Sequence, residues 1–104
     1  MAALVFSPKA SEDLDCIKSY IENELESPIA ASRKILEILD AIDQLALFPE
    51  LGPSLKRKIA SLAHYRYLPV ANTIVFYRVE GSKVLIIRIL GSSTDYLRTL
   101  RLGP

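Results

Sequence analysis

The order of hydrophobic patterns along the chain predicts an α+β fold. It is a two-layer sandwich in the order β-α-α-β-β-β, with an N-terminal helix hairpin packed on a small, mainly antiparallel sheet. Three observations carry this reading. A short apolar run, residues 3–6, opens the chain. Two stretches of helical periodicity follow, each introduced by the pair Ser-Pro. Residues 65–90 then read as three strands split by two tight turns.

Ser7-Pro8 is a good helix start, with Ser7 as N-cap and Pro8 at the first helical position, where its missing donor costs nothing. From there Leu14, Ile17, Ile21 and Leu25 recur at helical spacing. Glu12 and Asp13 suit the positive end of the helix macrodipole. Cys16, on the same helix, reads as a small buried hydrophobe rather than a nucleophile, because no base is placed near it.

Ser27-Pro28 repeats the start signal. Ala31, Ile35, Ile38, Leu39, Ile42, Leu45 and Ala46 form one broad stripe, Pro49 ends the helix, and Gly52-Pro53 marks a loop. With almost no linker between them, the two helices should form an antiparallel hairpin. Neither is apolar all round, so each needs a surface to cover, and the three strands supply it.

A chain of 104 residues, half of them hydrophobic, suits one domain spanning 1–104 with one core. A net charge of +1 excludes a global basic field of the kind that drives non-specific nucleic-acid binding. The single cysteine excludes an internal disulfide and a cysteine-based metal cluster, which fits a reducing cytosol. No signal-peptide pattern or membrane-spanning run is present, so a soluble, cytoplasmic protein without metal or cofactor is expected.

Each C-terminal strand carries one arginine: Arg66, Arg78 and Arg88. An arginine cannot shed its charge, so within an apolar strand it needs a carboxylate, a phosphate or water. Two-residue turns at Ala71-Asn72 and Gly81-Ser82 would place Arg66 opposite Tyr77, Tyr77 opposite Ile86, and Val75 opposite Arg88. Arg66, Leu68, Val75, Tyr77, Ile86 and Arg88 then share one face. Tyr67, Ile74, Phe76, Leu85, Ile87 and Ile89 share the other, with Arg78 at its edge. The second set is the more apolar and is expected under the helices, leaving Arg66, Tyr77 and Arg88 outward. The basic run Lys56-Arg57-Lys58 leads into this sheet and Tyr96 follows it, which together suggest a cationic, partly aromatic surface suited to phosphate or carboxylate. Read without that context, the run is an ordinary solvated surface.

The order of a strand, a helix hairpin ending in Phe48-Pro49-Glu50-Leu51-Gly52, Tyr65-Arg66-Tyr67-Leu68, the run Ile74 to Gly81 with Phe76-Tyr77-Arg78, and the arginine-bearing strand Val84 to Leu90 resembles the RelE/ParE toxin superfamily. The resemblance covers nearly the whole chain. It implies the toxin half of a type II toxin–antitoxin system, of the kind that stabilises plasmids, silenced by a cognate antitoxin. Two activities are implied by the two branches. RelE-like members cut messenger RNA on the ribosome, and ParE-like members inhibit DNA gyrase.

On the nuclease reading, Lys56, Lys58, Arg66, Arg88 and Tyr96 resemble the catalytic set. Lys56 or Lys58 would act as base with its pKa lowered by Arg57 and Arg66. On the inhibitor reading, Arg57, Arg66, Tyr77 and Arg88 would contact the target. Three features favour the ParE-like branch. Gly91 stands where the superfamily's last strand usually runs into a histidine, the net charge suits ribosome docking poorly, and the hairpin is long and regular. His64, the only histidine, reads as an edge residue rather than a catalyst. An inactive module that only binds its antitoxin is the third alternative.

Overall fold

A computed structural model describes residues 1–24, 26–55 and 64–101, the side chains of Tyr96, Leu97 and Arg101 excepted. The elements are β1 (Ala3–Phe6), α1 (Pro8–Glu24), α2 (Pro28–Leu47), β2 (Arg66–Val70), β3 (Thr73–Glu80), β4 (Lys83–Gly91) and α3 (Tyr96–Arg101). The strands form one four-stranded sheet in the order β1-β4-β3-β2. β1 pairs in parallel with β4, and the other pairings are antiparallel. The expected α+β arrangement is therefore the observed one, with α3 as an unanticipated addition.

Local chemistry explains the starts and turns. Ser7 Oγ accepts from Ala10 N–H at 3.0 Å, and Ser27 Oγ accepts from Ala30 N–H at 3.2 Å, so both Ser-Pro pairs act as N-caps. Ala71 and Asn72 both have positive φ, 48° and 63°, which a type I′ hairpin turn demands. Gly81, at φ 57°, makes the second turn.

The face expected to be covered is corrected by the packing. The helices cover Leu68, Val75, Tyr77, Val84, Ile86 and Ile89, which cluster with Ile38, Ile42 and Leu45 of α2. Phe76, Ile87 and Leu90 lie on the opposite face and are buried by Leu55, Tyr65 and Leu100, with Tyr67, Ile74 and Leu85 against them. Alternation sorts a strand into two sets but does not say which set meets the helices. Here both sets are buried, as the consecutive burial of Val75, Phe76 and Tyr77 shows.

The β2–β3 register is the expected one, with Arg66 opposite Tyr77 and Leu68 opposite Val75. Tyr77 faces Ile86 as expected, but the register then shifts between Phe76 and Tyr77. Arg88 therefore faces Phe76 and not Val75, while Val75 faces Ile89. The one-residue bulge, with Ile87 as the extra residue, brings Ile89 to the helix side.

β1 ends its pairing at Ile86, and α1 takes over the exposed edge of β4 from there. Ser7 N–H donates to Ile86 O at 2.9 Å and Ser7 Oγ to Ile87 O at 2.7 Å. Nearly two turns further on, Asp13 Oδ2 accepts from Ile89 N–H at 2.9 Å. A serine and an aspartate thus do for the edge what a longer first strand would have done.

Candidate functional site

The three strand arginines have three different fates. Arg88 turns to α1, where Nε and an Nη donate to the two carboxylate oxygens of Asp13 at 2.8 and 2.9 Å. Both side chains are largely buried, 16% and 13% exposed, so this bidentate pair works in a poorly screened environment. Hydrogen bonding to Asp13 raises the Arg88 pKa above its usual value, against a smaller opposing effect of burial. Asp13 lies beyond the first turn of α1 and serves as this clamp, not as the macrodipole partner that its position had suggested. Arg78 pairs with Glu80 at 2.8 Å on a half-exposed surface, a contact of little energetic weight.

Arg66 sits at the opposite end of the sheet from the β1 edge. Its Nη1 donates to Gly52 O at 2.7 Å, and it forms no ion pair among the described residues. Gly52 is held from the other side by Tyr77, whose hydroxyl accepts from Gly52 N–H at 2.9 Å and donates to Pro49 O at 2.8 Å. Tyr77 is fully buried, so the outward placement expected for it is corrected. Its hydroxyl closes the turn after α2 onto the sheet, and Arg66 fastens the same turn from the rim.

That clasp shapes an open cleft of about 800 Å³ whose lining includes Arg66, His64, Glu50, Phe48, Leu51 and Val79. His64 is exposed in the turn before β2, its ring 6.1 Å from Tyr65. Of the other expected site residues, Lys56, Arg57 and Lys58 lie outside the described residues, as does the side chain of Tyr96, the first residue of α3. The structure therefore unites Arg66 with Tyr77 around Gly52 and gives Arg88 a separate role. Gly91 ends β4 with room to spare, since an added Cβ would meet only Thr94 Oγ1 at 3.5 Å, an ordinary contact. Packing does not force glycine at this position. Cys16 is exposed, which corrects the buried placement expected for it.

Burial is the largest influence on the Tyr77 phenol and pushes its pKa above the usual value of 10.0. The Gly52 amide and the Arg66 charge oppose this, and Glu50 adds to it. A raised folded-state pKa means the native protein holds its proton more tightly than the unfolded chain. The associated stability is complete below about pH 10 and is lost as pH climbs through the folded value. The urea midpoint is therefore expected to fall above about pH 10, and to fall less steeply in Tyr77→Phe. Parallel profiles for the two proteins would refute this assignment.

The family model for the ParE toxin of the type II toxin–antitoxin system parDE matches residues 4–96. The chain therefore belongs to the ParE toxin family of type II toxin–antitoxin systems. Among solved structures, one described as a chromosomal ParDE TA system from P. aeruginosa aligns with a TM-score of 0.73. It is 24% identical, with 88% of this chain and 96% of that chain covered, so the likeness is one of fold. No curated protein matches the chain. Among the described residues, no helix is long and apolar enough to cross a membrane.

Proposed function

We propose that this toxin arrests growth by binding DNA gyrase in the cytoplasm, and that an antitoxin from the neighbouring gene silences it. The observation that carries the gyrase reading is the fate of the described residues a nuclease would use. Arg88 is held by Asp13 through a bidentate bond and is not free to meet a phosphate. Gly91 offers no group that could transfer a proton. What the chain presents is a shaped, charged surface suited to binding. Arg66 is the contact we assign to the target, together with Arg57 of the basic run, which lies outside the described residues.

Exposed Tyr20 on α1 and Ile29 and Leu36 on α2 support an antitoxin lying across the hairpin and the sheet edge, since apolar side chains left outside a small core invite a partner. The deciding experiment is to induce the chain in cells and follow plasmid supercoiling beside message integrity. Relaxed plasmid with intact messages is the expected result. Cleaved messages with normal supercoiling would replace the gyrase reading with the ribosome-dependent endonuclease. Normal growth would leave a module that only binds its antitoxin.

A further inference from the structure

The cleft at Arg66 combines three things seldom found together on a small surface. The first is a cation with spare bonding capacity. A guanidinium has five N–H donors, and among the described residues Arg66 forms one side-chain bond, to Gly52 O. Glu50 lies on the same rim, yet no ion pair joins the two. The second is an apolar rim that the fold leaves in water, with Phe48 61%, Leu51 46% and Val79 39% exposed. The third is rigidity. The turn bearing Phe48 and Leu51 is fastened by the buried Tyr77 hydroxyl at both Pro49 and Gly52, so little ordering would be lost when a partner docks.

We infer that this cleft is a docking site for an acidic–apolar segment of a partner protein. A carboxylate of that segment is held by Arg66, and a neighbouring large apolar side chain lies on Phe48, Leu51 and Val79. The fork of an arginine matches a carboxylate in shape as well as charge, and a half-buried unpaired guanidinium is the place where such a group gains most. The cleft is open rather than enclosed, which suits a chain segment crossing it. Glu50 and exposed His64 flank the site, and Glu50 would repel a run of consecutive acids, so one carboxylate beside an apolar residue fits better than an acidic tract. The inference rests on the reading of Arg66 as a contact residue but not on gyrase being the target.

The test is a selection of random heptapeptides displayed on phage against the full-length chain, followed by calorimetry with the enriched peptide. The expected consensus pairs Asp or Glu with a large apolar residue within two positions. Changing that acid to its amide should weaken binding at least tenfold, as should Arg66→Gln. Phe48→Ser and Leu51→Ser, both at exposed positions, should each weaken it at least threefold, while Asp40→Ser at an exposed position of α2 leaves it unchanged. The serine variants keep the test decisive even if Arg66→Gln fails to fold. No enrichment, a consensus without an acid, or affinity indifferent to Leu51 would overturn the inference. Displacement of the peptide by single-stranded RNA at lower concentration would also overturn it, in favour of a nucleic-acid site. A failed supercoiling experiment would leave this result standing, so the two can be told apart.

Discussion

Replacing Asp13 with alanine is expected to cost about 3 kcal/mol, the low end of what is lost when one partner of a buried ion pair is removed. For a domain of this size that corresponds to a melting temperature lower by roughly 15 °C. The reason is that one carboxylate serves two clients. It neutralises Arg88 through two short bonds and accepts the Ile89 amide at the edge of β4. Its removal strands a largely buried guanidinium and a strand amide together. Asp13→Asn keeps an acceptor without the charge, and so should fall between the wild type and alanine. Thermal unfolding of the three proteins checks this. A loss below about 1 kcal/mol for alanine would mean that the pair behaves as an exposed surface bridge. By the same logic, loss of toxicity on charge reversal of Arg88 is expected to come with loss of folding, whereas Arg66 can be tested as a contact residue.

Gly52→Ala is expected to be nearly as damaging, at about 3 kcal/mol, the upper part of the usual range for forcing atoms into a packed site. An added Cβ would stand 2.3 Å from Tyr67 O and 2.9 Å from the Tyr77 hydroxyl. Neither atom gives way easily, since the Tyr77 ring is fully buried and the Tyr67 carbonyl belongs to β2 and cannot move without the strand. Glycine is required here by close approach of two backbones, not by an unusual φ. The substitution should also loosen Arg66 by displacing the carbonyl that it binds, so growth arrest is expected to fall more than stability alone explains. Urea denaturation and a growth assay on the same variant separate the two effects. A change under about 0.5 kcal/mol, the ordinary scatter of surface substitutions, would show that the turn can shift freely.

Much of the molecule was legible because it rests on local chemistry. Ser7-Pro8 and Ser27-Pro28 cap helices wherever they occur at the head of an amphipathic run, and Ala71-Asn72 and Gly81-Ser82 turn a chain between two strands. The element order, and with it the family, followed from signals read within a dozen residues of each other. The cationic character of the C-terminal strands was equally plain. What those cations do was not.

The candidate site turned on contacts far apart in sequence. Arg66 and Arg88 look alike in their strands, yet Asp13, seventy-five residues from Arg88, claims one of them. A single bulge at Phe76/Tyr77 moved Arg88 out of the register that regular pairing predicts, and no residue type announces a bulge there. Alternation alone makes Tyr77 an outward aromatic, but the turn at Pro49–Gly52 supplies partners for its hydroxyl. Sequence by itself determined the elements from β1 to β4, their order, the caps and turns, and the three charges that must be satisfied, but not α3. Tertiary structure alone decided which face of the sheet meets the helices, and which arginine is consumed by the fold. Among the described residues it left Arg66 without an ion pair. The physical reason is that propensity and capping act over a few neighbouring residues, whereas a buried charge is settled by whichever carboxylate or carbonyl the packing brings to it.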